Sequence, residues 1–201
     1  MGIDIFPEFL RNNYEVHEWR HAAAILRNDF PHEWDDIATV LTAFRLKKAD
    51  VIKPGGGKSP VAKLIDEGFA ARGWREKGFT TKLVVDGSEI DNPTHKIDMY
   101  KNRVALEVEW NNKDPFFDRD LNNFRILFEL RAISVGVIIT RCDELQRIFD
   151  RLGKGKSYGP STTHMSKLLA RVDGGGGGGC PVLVFGISQR LYTPGAGSRN
   201  G

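Results

Sequence analysis

Cysteine is scarce. Cys142 and Cys180 are the only two in 201 residues, too few for a disulfide framework, and both thiols are expected to be reduced. Long apolar runs are missing too. No stretch suits a membrane span and no amino-terminal run has signal-peptide character, so the expectation is a cytoplasmic protein without a membrane partner. There is no internal repeat. Charge of one sign is in short supply: 29 Lys and Arg against 26 Asp and Glu leave +3. That balance permits a nucleic-acid partner without requiring one, and acids withheld for a cation would leave the remaining surface more basic. His17, His21 and His32 fall in different elements without ligand spacing, which sets a zinc site aside. With 40% hydrophobic and 27% charged residues, the chain suits one globular domain over 1–190, with 191–201 as a flexible tail.

What is present is a strand that carries acids where apolar residues would serve. From Val104 the pattern alternates: Val104, Leu106, Val108 and Trp110 share one face, Ala105, Glu107 and Glu109 the other. Glu107 and Glu109 are therefore about 6 to 7 Å apart along the strand. Asp98 lies nine residues before Glu107, and Lys101, Asn102 and Arg103 between them suit a turn that would bring Asp98 beside Glu107. Three acids gathered at one spot repel one another unless a cation collects them. Hard oxygen ligands suit magnesium (Mg2+), which completes its coordination with water and substrate phosphate, so phosphodiester hydrolysis follows as the chemistry. Spacing alone fits a half-buried strand with water-facing acids equally well.

Alternation favours a strand over 14–20, and good helix formers follow from His21. Pro31 opens a second helix with Trp34, Ile37, Val40, Leu41 and Phe44 on one stripe. Residues 53–59 imitate a phosphate-binding loop but have Ile52 where the motif needs Gly. They read instead as a mobile basic loop, in which Lys47, Lys48, Lys53 and Lys58 either touch phosphates or solvate the surface. Ser59 should cap a helix begun by Pro60 that turns Val61, Leu64, Ile65 and Phe69 inward and Glu67 outward. A strand over 80–85, the turn Asp86-Gly87 and an irregular connection lead to Asp98. After Glu109, residues 111–115 are too polar to stay in the sheet. Asp118 should cap the next helix, with Leu121, Phe124, Leu127 and Phe128 inward and Arg119, Asn122, Asn123 and Arg125 outward. The apolar run 134–140 reads as a buried strand and 180–187 as the last core strand. Glycines 174–179 read as a slack connector after a helix over 162–172. The fold class expected is α/β, a central mixed sheet flanked by helices.

Asp98, Glu107-Val108-Glu109, then Asn111, Asn112, Pro115 and Phe116, resemble the metal site and following loop of the BglII and BstYI group of type II restriction endonucleases, in the PD-(D/E)xK nuclease superfamily. Ser59-Pro60-Val61-Ala62, Gly73-Trp74, Gly136-Val137-Ile138-Ile139, Ser157-Tyr158 and Pro181-Val182-Leu183-Val184 fall in the same order, over about 14–187. The resemblance implies a restriction-endonuclease-like fold with its catalytic core over about 60–140. It also implies a homodimer on double-stranded DNA, a cognate DNA methyltransferase, and a GATC-centred site. It places magnesium on Asp98, Glu107 and the Val108 carbonyl, with Glu109 beside the attacking water. Base edges go to Asn111 and Asn112, a phosphate to Lys113, and a second recognition segment to Lys154, Lys156, Ser157 and Tyr158. Glu67 stands where many superfamily members supply an auxiliary acid. The superfamily usually has Lys where Glu109 stands, which leaves open both the activation of water and the use of one ion or two. The competing readings are a structure-selective or repair nuclease of the same superfamily, and a DNA-binding module without metal.

Overall fold

The computed structural model describes residues 2–53 and 57–195. In chain order the elements are a 3-10 turn (Gly2–Ile5), α1 (Glu8–Asn13), β1 (Tyr14–Trp19), α2 (Ala22–Asp29), α3 (Pro31–Ala43), β2 (Leu46–Lys47), α4 (Lys48–Ile52), α5 (Pro60–Ala70), β3 (Arg75–Lys77), β4 (Thr80–Val85) and β5 (Ser88–Pro93). Then come β6 (Ile97–Lys101), β7 (Val104–Val108), α6 (Pro115–Glu129), β8 (Val135–Arg141), a 3-10 turn (Asp143–Leu145), α7 (Gln146–Arg151), α8 (Met165–Asp173), β9 (Val182–Ile187), a 3-10 turn (Gln189–Leu191) and β10 (Tyr192–Thr193).

Six strands form the central sheet in the order β1-β9-β8-β7-β6-β3. The middle three run parallel, with Glu107 opposite Ile138 and Val137 opposite Leu183, while β1 and β6 flank them antiparallel. Parallel strands covered on both faces read as continuous apolar runs, and all seven residues of β8 are buried. Val104, Leu106 and Val108 pack on one side with Ile37, Leu41, Ile65 and Phe69 of α3 and α5. Ala105, Ile138 and Val184 pack on the other with Phe117, Leu121 and Phe124 of α6 and Leu168 of α8. The result is the helix–sheet–helix sandwich expected of the alternation. Gly136 permits the closest approach, since a Cβ there would stand 2.3 Å from the Phe124 ring.

The hairpin that sets the site is tight. Lys101 pairs with Val104 and Met99 with Leu106, so the two residues between, Asn102 (φ 42°) and Arg103 (φ 67°), both sit in the left-handed region, as a two-residue hairpin turn requires. Continuing that register puts Asp98 opposite Glu107.

Several expectations change. Residues 2–13 add a 3-10 turn and α1 ahead of β1, with Phe6 and Leu10 buried, because the chain there closes the α3 side of the core. Leu64 is exposed and Asp66 buried in its place. α6 starts at Pro115, one turn before the cap expected at Asp118, and its buried face includes Asn123, whose amide donates to the His95 carbonyl at 2.9 Å. α8 starts at Met165, after a bridge between Lys113 and Thr162. β4 and β5 form a hairpin apart from the central sheet, where an irregular connection was expected. The tail is tied down at first: Leu191 is buried and β10 pairs with β2; residues 196–201, like 54–56 of the basic loop, lie outside the described residues.

The six-glycine run is the largest correction. Residues 174–179 form consecutive turns packed on α6. Gly178 has φ +56° and a Cβ there would meet Arg125 at 2.6 Å, while one on Gly176 would meet Leu121 at 3.1 Å. The Gly178 carbonyl accepts from Arg20 Nε at 3.0 Å. At Gly176 and Gly178 the missing side chains let the backbone lie closer to its neighbours than a larger residue would allow.

Candidate active site

β6 and β7 end side by side, and their backbones fasten two carboxylates together. The Asp98 amide donates to Glu107 Oε2 at 3.2 Å, and the Val108 amide donates to Asp98 Oδ2 at 3.3 Å. Asp98 is half-buried, Glu107 almost wholly so, and Glu107 Oε1 is buried without a partner. Burial, with Asp120 and Asp98 adding repulsion, holds the Glu107 carboxyl well above the usual carboxylate range.

Glu109 follows one step past β7, its amide still in the ladder on the Ile139 carbonyl at 2.9 Å and its carbonyl accepting from Thr140 Oγ1 at 2.8 Å. Its carboxyl turns towards α6. Oε2 accepts from Asn112 Nδ2 at 2.6 Å and Oε1 from Arg119 Nη2 at 3.4 Å. Arg119 also donates to Asp120 Oδ1 from Nε at 2.8 Å and Nη2 at 2.7 Å, and its guanidinium covers the Phe116 ring at 4.2 Å. Burial and the neighbouring Asp120 push Glu109 up to about 9. Burial raises Asp120 as well. The convergence expected of Asp98, Glu107 and Glu109 thus divides: the first two touch, and the third is held by Asn112 and Arg119. Among the described residues, no group of three or more His, Cys, Asp and Glu side chains is placed to hold a metal ion.

A cleft of about 860 Å³ opens between α5 and the loops after β7 and α7, and Asp98 and Val108 line it. Asn111, Asn112, Lys154, Ser157 and Tyr158 line it too, whereas Lys113 and Lys156 are exposed outside it. Asn111 Oδ1 is buried and unpartnered. Tyr158 is less available than its sequence setting suggests: the residue is buried, its ring stacks on Phe149 at 4.0 Å, and its hydroxyl accepts from Trp110 Nε1 at 3.3 Å. Its carbonyl accepts from the buried Arg141 at 2.8 Å, which fixes the segment 154–158 from beneath. Glu67 is an exposed rim residue opposite Lys63 at 3.8 Å. The acid α5 turns inward is Asp66, bonded to Lys58.

Sequence reasoning missed Asp66, Asp120 and Arg119. The signal existed for the two acids: Asp66 is four residues after Ala62 and three before Phe69, and Asp120 is three after Phe117 and four before Phe124, so each lies on its helix's buried stripe.

A family model described as restriction endonuclease BglII/BglIII matches residues 14–187. The chain belongs to that family. The BglII/BglIII model spans every strand of the central sheet, from Tyr14 of β1 to Ile187 of β9. No individual curated protein matches the chain. As a member of the BglII/BglIII restriction endonuclease family the chain is a nuclease whose partner is double-stranded DNA, and enzymes of this kind generally use a divalent metal. The residues present fit such an ion: the donors are carboxylate oxygens, and the buried Glu107 Oε1 has no other partner. No helix among the described residues is long and apolar enough to cross a membrane. Cys142 and Cys180 are free and buried, and burial raises both thiols, Cys180 to about 12.

Proposed function

We propose that the protein is a type II restriction endonuclease: a homodimer that hydrolyses one phosphodiester bond in each strand at a short palindrome, with magnesium as cofactor. The observation that carries this is the Asp98–Glu107 contact beside the cleft that Asp98 lines, with one buried carboxylate oxygen unsatisfied. A GATC-centred target rests on the likeness to the BglII and BstYI group. An enzyme that cuts a short site endangers its own genome, so a cognate DNA methyltransferase and a prokaryotic cytoplasm accompany the reading.

Asp98 and Glu107 would hold the ion, and the Val108 carbonyl faces the same strand edge as the Val108 amide that bonds Asp98. When bound, magnesium supplies positive charge at the phosphate and lowers the pKa of water. With charge supplied there, Glu107 and Glu109 would be ionised. Glu109 would hold the attacking water by its carboxylate and take one of its protons. The water oxygen bonds phosphorus, one bridging P–O bond breaks, and the leaving oxygen takes a proton from solvent. Asn111 and Asn112 read base edges, while Lys113, Lys154, Lys156 and Ser157 contact the backbone.

The test is incubation with plasmid DNA and magnesium, repeated in EDTA. Discrete fragments that vanish in EDTA are expected; cutting confined to junctions or flaps, or none, overturns the reading.

A further inference from the structure

A phosphate approaching Asp98 meets negative charge from Asp50 and Glu67 in the same cleft and from Asp66 beneath it. The cleft also holds lysines, and one is placed differently. Lys63 faces Glu67 at the rim. Lys58 precedes the cap of α5, where Ser59 Oγ accepts from the Ala62 amide at 3.1 Å and fixes the first turn. Its half-exposed ammonium is bonded to the buried Asp66 carboxylate. Burial works to lower the Lys58 pKa, but the Asp66 hydrogen bond and the charges of Asp98 and Glu107 outweigh it. The side chain is a cation that lines the same cleft as Asp98. Asp66 Oδ1 is buried with no partner, so one ammonium contact is all that holds the pair.

We infer that Lys58 is a catalytic residue of this site: its ammonium turns from Asp66 to a non-bridging oxygen of the scissile phosphate and stabilises the charge that develops there. It exchanges no proton. Asp66 is the positioning group that keeps the lysine beside Asp98 before DNA arrives. This rests on the nuclease reading above and adds to it a residue outside the acid strand.

The test uses the full chain, the plasmid substrate in magnesium, and equilibrium binding to a duplex from that plasmid in EDTA. Lys58→Ala is expected to cleave about 100-fold more slowly at saturating DNA, the loss typical of one transition-state charge contact, while duplex affinity changes by less than about threefold. Lys58→Ala combined with Asp66→Asn should be as slow. Recovery of rate in the double variant would mean that Lys58 only neutralises Asp66, and would overturn the inference. So would equal losses of rate and affinity, which mark an ordinary backbone anchor, or an unchanged rate in Lys58→Ala. A wild-type protein that cuts no DNA would remove the nuclease reading itself, a result separate from all of these.

Discussion

Glu107, Glu109 and Asp120 crowd three carboxyls into a region where an ionised acid is poorly solvated, and that has a measurable pH signature. Glu109 ionises near pH 4.5 in an exposed state and at about 9 in the folded protein. Its contribution to stability is therefore complete below about pH 4.5 and is lost as pH rises towards about 9. Glu107 and Asp120 are shifted in the same direction and add to the effect. The metal-free protein should melt at progressively lower temperature from pH 5 to pH 9, and Glu109→Gln should flatten the decline; a steeper decline in that variant would contradict the burial argument. A cation held by Asp98 and Glu107 favours the ionised form of Glu107, so adding magnesium near pH 7 should release protons, fewer from Glu107→Gln. For the same reason Asp98→Ala and Glu107→Ala should abolish cleavage while duplex binding stays measurable by gel shift. Lys113→Ala, outside the cleft, should weaken binding to all duplexes and reduce the salt slope by about 1, whereas Asn112→Ala should disturb the choice of sequence. Because Asn112 also bonds Glu109, that variant should slow cutting as well.

The elements divide by the range of the contacts that make them. The glycine run shows the long-range kind: Gly178→Ala should destabilise the protein by roughly 1–3 kcal/mol, read from urea unfolding, because an L residue there is strained at φ +56° and collides with Arg125. A slack connector would show no change. β7 and its turn show the local kind. Period-two alternation put Glu107 opposite the apolar face, and the polar interval Lys101-Asn102-Arg103 gave the hairpin that sets Asp98 beside it, so the centre of the site was legible in the sequence. β8, α2 and α3 were legible for the same reason, each carrying its full pattern within one segment. The glycine packing and the β2–β10 pair were not, since each depends on a partner distant in sequence or on a surface formed only after the sheet assembles; the β4–β5 hairpin is local, but its second strand, 88–93, is too polar to read as one. Asp66 and Asp120 fall between: helical spacing places both on buried stripes, but reading those stripes for apolar residues alone passes over an acid. The hairpin itself can be tested. Arg103→Val should cost about 1–2 kcal/mol, because a β-branched residue resists the left-handed conformation that Arg103 adopts, and a strained turn would loosen the contact between Asp98 and Glu107.

At the scale of the whole molecule, the acids stand at one end of the parallel strands β7 and β8, and the loop that leaves β7 there, 109–114, and the loop after α7, 152–163, supply the cleft's other wall. The bridge between Lys113 and Thr162 and the bond from the Thr163 amide to the Asn112 carbonyl at 2.9 Å tie these two loops to each other. A change in one of these loops is therefore felt by the other. Among the described residues one such acid pair stands beside the cleft, and a single pair suits one strand of a duplex. Cutting both strands at a palindrome needs either two visits by one subunit or two subunits related by a two-fold axis that coincides with that of the DNA. The kinetics of plasmid cleavage separate these. A dimer holding both strands should convert supercoiled plasmid to linear product with little nicked circle at any time, at a rate independent of protein concentration once the dimer is saturated. A monomer should build up nicked circle first and linear product later. Mixing wild-type protein with excess Glu107→Ala should yield dimers with one working centre; these should nick the plasmid and release it uncut on the second strand. Linear product from such mixtures, in the proportion given by the wild-type protein alone, would exclude the two-fold arrangement.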